Sequence, residues 1–285
     1  MNTHFCNLCR EDTLYKAWNY VKSKGSAGGI DGVTIEDFNK DKEHQIRIIQ
    51  AELKNGTWKP QPYLQIAIPK SKDPNEKRIL GMAVVKDKVI QQAVRQIIEP
   101  RLERLFLPNS FAYRQGKGAL KTIRYVIKQC GNTEYKYSLR LDVDNFFDEI
   151  DHEILQKRLT AIGVEDEIVR LIMLSVKMGR VEVSGIWNEP TKGIPQGAVL
   201  SPLLANLYLH SFDQFDASND LPMFKGLLTD ETRQLLVKSV MERLARYEKY
   251  QGEEMKMEQI ILRQAKLLAK AFDGTEEFKP YVAKW

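Results

Sequence analysis

The chain has 285 residues, is 43% hydrophobic and 28% charged, and carries a formal net charge of +5. That is the make-up of an ordinary globular protein, long enough to bury one large core or two modest ones. It has neither a run of eighteen apolar residues nor a basic-then-apolar N-terminus, which argues against membrane spanning and secretion and sets a cytoplasmic expectation. Three cysteines (Cys6, Cys9, Cys130) give no disulfide framework, as suits a reducing compartment.

Near the N-terminus, Cys6 and Cys9 with His4 nearby make half of a zinc site and lack a second pair. Thr34 and Asp37 have the spacing of a capping box, predicting a helix from Thr34 to about Leu53. An alternating stretch at 63–68 reads as a strand. Helical periodicity follows over 86–106 (Val89, Ile90, Val94, Ile97, Ile98, Leu102, Leu105), with Pro100 expected to break or kink it. Residues 68–128 hold fourteen Lys/Arg against five Asp/Glu, a local net of +9 that suits phosphate binding without sequence readout. Leu139, Leu141 and Val143 predict a buried strand over 138–143 that ends in acidic residues, with Phe146 and Phe147 directly after it. Helices are expected near 150–161 and 165–178, and a strand over 181–186. The segment 216–222 (DASNDLP) reads as a turn-rich junction, and beyond it two amphipathic helices, near 229–251 and 253–273, suggest a hairpin. The fold class is α+β.

Two blocks carry the strongest signal: RLDVDNFFDEIDH (140–152) and, about forty residues later, KGIPQGAVLSPLLANLYL (192–209). They closely resemble the palm motifs of reverse transcriptases of the group II intron type. The resemblance continues upstream in order through KGSAGGIDGVT (24–34), IPK (68–70), KRILGM (77–82), QQAV (91–94) and NSFAYRQGKGA (109–119), covering roughly residues 12–216. Departures are small. Met82 and Ala83 stand where the family has Ile-Pro, and Ala112-Tyr113 where it has Gly-Phe. The implied fold is the fingers and palm of a right-hand polymerase, and the implied activity is RNA-templated DNA synthesis.

The resemblance assigns roles residue by residue. Asp142 matches the catalytic, metal-binding Asp, and the Val143 carbonyl matches a further metal ligand. Lys70 and Arg78 match the cations that grip the incoming deoxynucleoside triphosphate, a task suited to fixed charge and to a bidentate guanidinium. Phe147 matches the aromatic that crowds the sugar; its alternative is core packing. Gln196 and Gly197 match the loop beneath the nascent base pair, where glycine lets the backbone approach. The implied cofactor is Mg²⁺, with Mn²⁺ as a substitute, and such chemistry uses two divalent ions held by several carboxylates. The family's second carboxylate motif, Tyr-x-Asp-Asp, should follow the second block, yet no Asp-Asp pair occurs anywhere in the chain. Solvation or helix capping, rather than metal binding, is the expected role of Asp144, Asp148 and Asp151, and His152 and His210 read as structural.

The segments GLLTDETRQLLVKSVMERLARY and ILRQAKLLAKAFDGTEEFKPYVAKW resemble the C-terminal tail of the CRISPR spacer-acquisition integrase, a partner to which reverse transcriptases are naturally fused. The expected organisation is an incomplete fingers and palm over 1–216, a junction over 217–222 and a helical tail over 223–285, as in such a fusion with its middle removed. The implied partners are an RNA template, a DNA primer, deoxynucleoside triphosphates and other CRISPR adaptation proteins, with no membrane. Two alternatives stay open. The chain could be a non-catalytic nucleic-acid or partner-binding protein, or a group II intron maturase fragment, although no maturase region follows the palm. If the chain is an enzyme, Asp213, Asp216 or Asp220 would have to replace the missing pair.

Overall fold

The computed structural model describes residues 4–25, 27–70, 73–130, 143 and 145–218. The predicted strand over 138–143 lies outside them except for Val143, and both C-terminal helices lie outside altogether. The chain divides into two compact units, one over Met1–Leu107 and Asp144–Asp213, the other over Pro108–Val143 and Gln214–Trp285.

In the first unit, α1 (His4–Leu8) and α2 (Glu11–Lys24) lead to a glycine-containing loop. The α1 amides of His4 and Phe5 donate to the Glu165 carboxylate at 2.7 and 3.0 Å, so an acidic side chain far along the chain caps an otherwise open helix end. The capping box is formed as expected: Asp37 N donates to Thr34 Oγ1 at 3.1 Å, and Thr34 N donates back to Asp37 Oδ2 at 3.3 Å. The helix it opens is shorter than expected. Asp41 takes φ −123°, ψ 27°, which divides the run into α3 (Ile35–Lys40) and α4 (Lys42–Lys54).

The strand β1 (Tyr63–Lys70) pairs antiparallel with β2 (Asp73–Met82), in a register that sets Ile68 opposite Arg78, and shifts between Pro69 and Lys70. The second half of this hairpin was legible in sequence only as a motif block. Next, α5 (Val85–Glu103) runs through Pro100, which therefore does not break it. Only three residues follow the proline, so the hydrogen bond lost with its N–H falls in the last turn of a long helix. From Val85 to Val94 only Lys86 escapes burial. A helix buried all round is a central helix, and α5 packs on α2 and α9 within one core that includes Trp18, Ile49, Leu53, Ile90, Leu102, Leu155, Ile172 and Leu203. Each such side chain contributes about 1.5–3 kcal/mol by leaving water.

The short α7 (Phe146–Glu149), α8 (His152–Ala161) and α9 (Asp166–Lys177) follow, close to the expected spans for the last two. Asp151 caps α8 by accepting from Ile154 N at 2.8 Å. The strand expected over 181–186 is instead a small hairpin. It comprises β3 (Arg180–Glu182) and β4 (Trp187–Asn188), joined through Gly185 at φ 88°. The turn interrupts the strand because Gly185 takes a backbone conformation that continues no ladder. Sheet order is β2-β1-β3-β4, with β1 and β3 parallel. The last described element, α10 (Ser201–Ser218), takes in the first three residues of the expected junction, so helix persists where turn was expected.

In the second unit, the described residues form a loop from Pro108 and then α6 (Ala119–Cys130). Phe111 lies 5.2 Å from Tyr125 between ring centroids, and Lys117 Nζ sits 5.2 Å above the Phe111 ring.

Candidate functional site

The loop from Gly193 to Ser201 is the best-anchored part of the predicted site. Gly193 N donates to Ile150 O and Ile194 N to Phe147 O, each at 2.7 Å. His152 Nε2 lies 2.7 Å from Gly193 O, and Ser201 Oγ donates to Pro195 O at 2.7 Å. His152 is thus structural, as the sequence suggested. Gly81 N, on β2, donates to Gln196 O at 2.7 Å, which joins the hairpin to the loop. Two glycines are required here. Gly193 has φ 85°, and a Cβ on it would come within 2.8 Å of Asp148 backbone; Gly197 has φ 100°, and a Cβ on it would come within 3.2 Å of Gly81 O.

The buried polar face of α5 completes the frame. Asp87 accepts from Trp58 Nε1 at 3.0 Å and from Gln61 N at 2.7 Å, holding the segment that enters β1. Burial raises its carboxyl to about 6 even though both hydrogen bonds pull it down. One turn on, Gln91 Nε2 donates to Tyr63 Oη at 2.9 Å, and Val199 N donates to Gln91 Oε1 at 3.2 Å. In the sequence QQAV is a motif block in which nothing marks Gln91 for this bridge. The available signal was polar residues at 87, 88, 91 and 92 set among the apolar Val85, Val89, Ile90, Ala93 and Val94.

The predicted ligands of the triphosphate lie on the hairpin. Arg78 is exposed on β2 opposite Ile68. Lys70 is the last residue of β1, past the register shift at Pro69, and its side chain lies outside the described atoms. Phe147 is half-buried, stands edge-on to Phe146 with ring centroids 5.9 Å apart, and packs on the core. Core packing and a place beside the loop therefore coexist in one residue. Gln196 is half-buried and Gly197 exposed.

The metal-site expectations meet the described residues only at their edge. Asp142 and Asp144 lie outside them, and Val143 is described as 56% exposed. Among the described residues no three His, Cys, Asp or Glu side chains gather to hold an ion. Asp148 faces Arg180 Nη1 at 3.7 Å. Cys6 is exposed, Cys9 is buried, and neither is in a disulfide; burial raises the Cys9 pKa.

The basic segment is only partly free surface. Lys86 pairs with Glu52, Arg95 with Glu99 at 2.7 Å, and the buried Lys88 donates to the Ala27 carbonyl. In the first unit Lys77, Arg78, Arg101 and Arg104 remain exposed; in the second, Lys121, Arg124 and Lys128 are exposed along α6 at helical spacing. A separate cleft of about 630 Å³ lies among α8, α9 and Trp187, and no predicted site residue lines it. No described helix is long and apolar enough to cross a membrane.

Residues 68–219 match the family model described as reverse transcriptase (RNA-dependent DNA polymerase). Protein YkfC of Escherichia coli (strain K12) is 30% identical over 199 residues, 68% of this chain and 51% of YkfC. The group II intron-encoded protein LtrA of Lactococcus lactis subsp. cremoris is 34% identical over 210 residues, 73% of this chain and 34% of LtrA. The chain thus spans about half of one relative and a third of the other. Among solved structures, a chain of a partial Cas6-RT-Cas1–Cas2 complex shares the fold, with a TM-score of 0.52 and 21% identity over 76% of this chain and 35% of that one. The chain belongs to the reverse transcriptase family, and it is group II intron-like in kind.

Proposed function

We propose that this chain binds a primed RNA template and a deoxynucleoside triphosphate as the fingers and palm of an RNA-directed DNA polymerase, acting in the cytoplasm in CRISPR spacer acquisition from RNA. The observation that carries the reading is the Gly81 to Gln196 hydrogen bond, which fastens the strand bearing Arg78 to the Pro-Gln-Gly loop. Lys70 and Arg78 hold the triphosphate, Phe147 crowds its sugar, and Gln196 with Gly197 supports the nascent base pair. Asp142 and the Val143 carbonyl are the proposed ligands of Mg²⁺, with Mn²⁺ as substitute. When bound, the metal stabilises charge on the attacking and leaving oxygens. The link to CRISPR adaptation is supported by the tail's resemblance to the spacer-acquisition integrase and by the likeness to a chain of the Cas6-RT-Cas1–Cas2 complex. The incomplete fingers and palm over 1–216, the junction over 217–222 and the tail over 223–285 remain the proposed organisation, with other adaptation proteins as partners.

A second reading has a specific observation behind it. No Asp-Asp pair occurs in the 285 residues, so the usual carboxylates for a second metal are missing and the chain would bind without efficient catalysis. Single-turnover primer extension on an RNA template, with Mg²⁺ and then Mn²⁺, separates the two. Extension by the wild type that Asp142→Ala abolishes supports the polymerase; no extension by either, with template binding retained, supports the binding protein. Failure to bind primed template at all would overturn both.

A further inference from the structure

Gln91 is 1% exposed on α5, and both ends of its amide are used. Its Nε2 donates to the hydroxyl of Tyr63, the first residue of β1, itself 1% exposed. Its Oε1 accepts from Val199 N, just past the Pro-Gln-Gly turn. A primary amide has donor and acceptor at opposite edges of one rigid plane, so it can bridge two elements at fixed separation as an apolar side chain cannot. The neighbouring bonds make this bridge consequential. Asp87, one turn earlier, fixes Trp58 and Gln61 ahead of β1, while Gly81 N on β2 holds Gln196 O. Among the described residues, hydrogen bonds thus join hairpin and loop at two places, once directly through backbone and once through Gln91, and Tyr63 shares an apolar cluster with Ala198.

We propose that Gln91 is a positioning residue that couples the base of the β1–β2 hairpin to the Pro195–Val199 loop and so sets where Arg78 stands relative to Gln196. Its effect on nucleotide binding rests on the proposed reading of that loop as part of the nucleotide pocket; the coupling itself does not. Gln91→Met keeps length and volume but leaves the Tyr63 hydroxyl and the Val199 amide without their partner in a buried place. Gln91→Glu keeps both bonds, because burial favours the neutral carboxyl, whose O–H donates to Tyr63 Oη as the amide N–H did while its carbonyl oxygen accepts from Val199 N. Tyr63→Phe removes the hairpin side of the bridge with little change of shape.

The test is amide hydrogen exchange on the full 285-residue chain, read at Val199 and along β1, with α8 and α9 as the internal reference. Gln91→Met should speed exchange at Val199 and at the start of β1 by about tenfold or more while α8 and α9 keep their protection, and Gln91→Glu should restore it. Tyr63→Phe should loosen β1 in the same way. Unchanged protection in Gln91→Met, or an equal loss in every helix, overturns the coupling. Calorimetric titration with dATP and Mg²⁺ gives the second arm. Gln91→Met should bind roughly tenfold more weakly and Gln91→Glu nearly as the wild type does. Equal affinity in wild type and Gln91→Met overturns the role in nucleotide binding, whereas a wild type that does not bind dATP overturns the pocket reading and leaves the exchange arm to decide the coupling.

Discussion

Gly81 and Gln196, 115 positions apart in the sequence, are joined by a 2.7 Å backbone hydrogen bond, and a Cβ on Gly197 next to it would crowd Gly81 O at 3.2 Å. The β1–β2 hairpin and the Pro195–Val199 loop are therefore built as one piece at this point. Neither partner is a side-chain donor, so the join is insensitive to most substitutions and sensitive to any that adds a Cβ.

Gly193→Ala should be the most damaging small change in the loop. Its φ of 85° already disfavours a side chain, and the new Cβ would meet three backbone atoms of Asp148 at 2.8–3.0 Å. Backbone cannot rotate aside as a side-chain tip can. A loss of about 2–4 kcal/mol is expected. Gly32→Ala is the control, because it shares a positive φ of 70° but opens onto free space, and it should cost only about 1 kcal/mol. Urea denaturation of both variants measures the difference; equal losses would show that φ alone, without the Asp148 contact, sets the cost.

Much of this site was legible in the sequence because it is written in local signals. Thr34 and Asp37 announced a cap, Val89 to Leu102 announced a helix, and the Gly-Ile-Pro-Gln-Gly run announced a tight loop. What was not legible depends on partners distant in the chain. Glu165 capping α1 and Gln91 bridging Tyr63 to Val199 leave no periodic trace, because one polar residue in an apolar pattern looks the same whether it faces solvent or a partner. The division of 34–53 at Asp41 and of 181–186 at Gly185 was missed for the opposite reason: single residues override a periodicity that otherwise continues.

Arg78→Ala and Lys70→Ala should each weaken triphosphate binding, by about 1.5–3 kcal/mol for a lost charge-assisted contact. Arg47→Ala, an exposed cation on α4, should change it little. The readout is dATP titration with Mg²⁺ at fixed ionic strength. Equal losses for all three would mean that bulk charge alone attracts the ligand.

Binding of single-stranded RNA should weaken steeply with salt. Removing the three exposed α6 cations together (Lys121→Ala, Arg124→Ala, Lys128→Ala) should flatten the slope of log affinity against log salt by about 2, since each neutralised phosphate contributes about 0.7 on a single strand. Filter binding or anisotropy between about 50 and 200 mM salt measures it. A slope indifferent to the triple change would place the RNA on other cations.

Asp87 should give the fold an unusual dependence on pH. Its side chain is 2% exposed, and burial, acting against hydrogen bonds from Gln61 and Trp58, raises its carboxyl from 3.8 to about 6. In the unfolded chain it loses its proton near 3.8, so between about 4 and 6 the folded state holds the extra proton. Stability from this group is therefore complete below 3.8 and is lost as pH rises through 6, by roughly 3 kcal/mol. Asp87→Asn cannot titrate, and it retains an acceptor for one donor while turning its own N–H₂ towards the other. The unfolding free energy of the wild type minus that of Asp87→Asn should fall between pH 4 and pH 7 and then level off. Denaturant titrations at constant salt give both quantities. A difference that climbs with pH instead would mean that the Trp58 and Gln61 hydrogen bonds outweigh burial and hold the carboxylate ionised throughout.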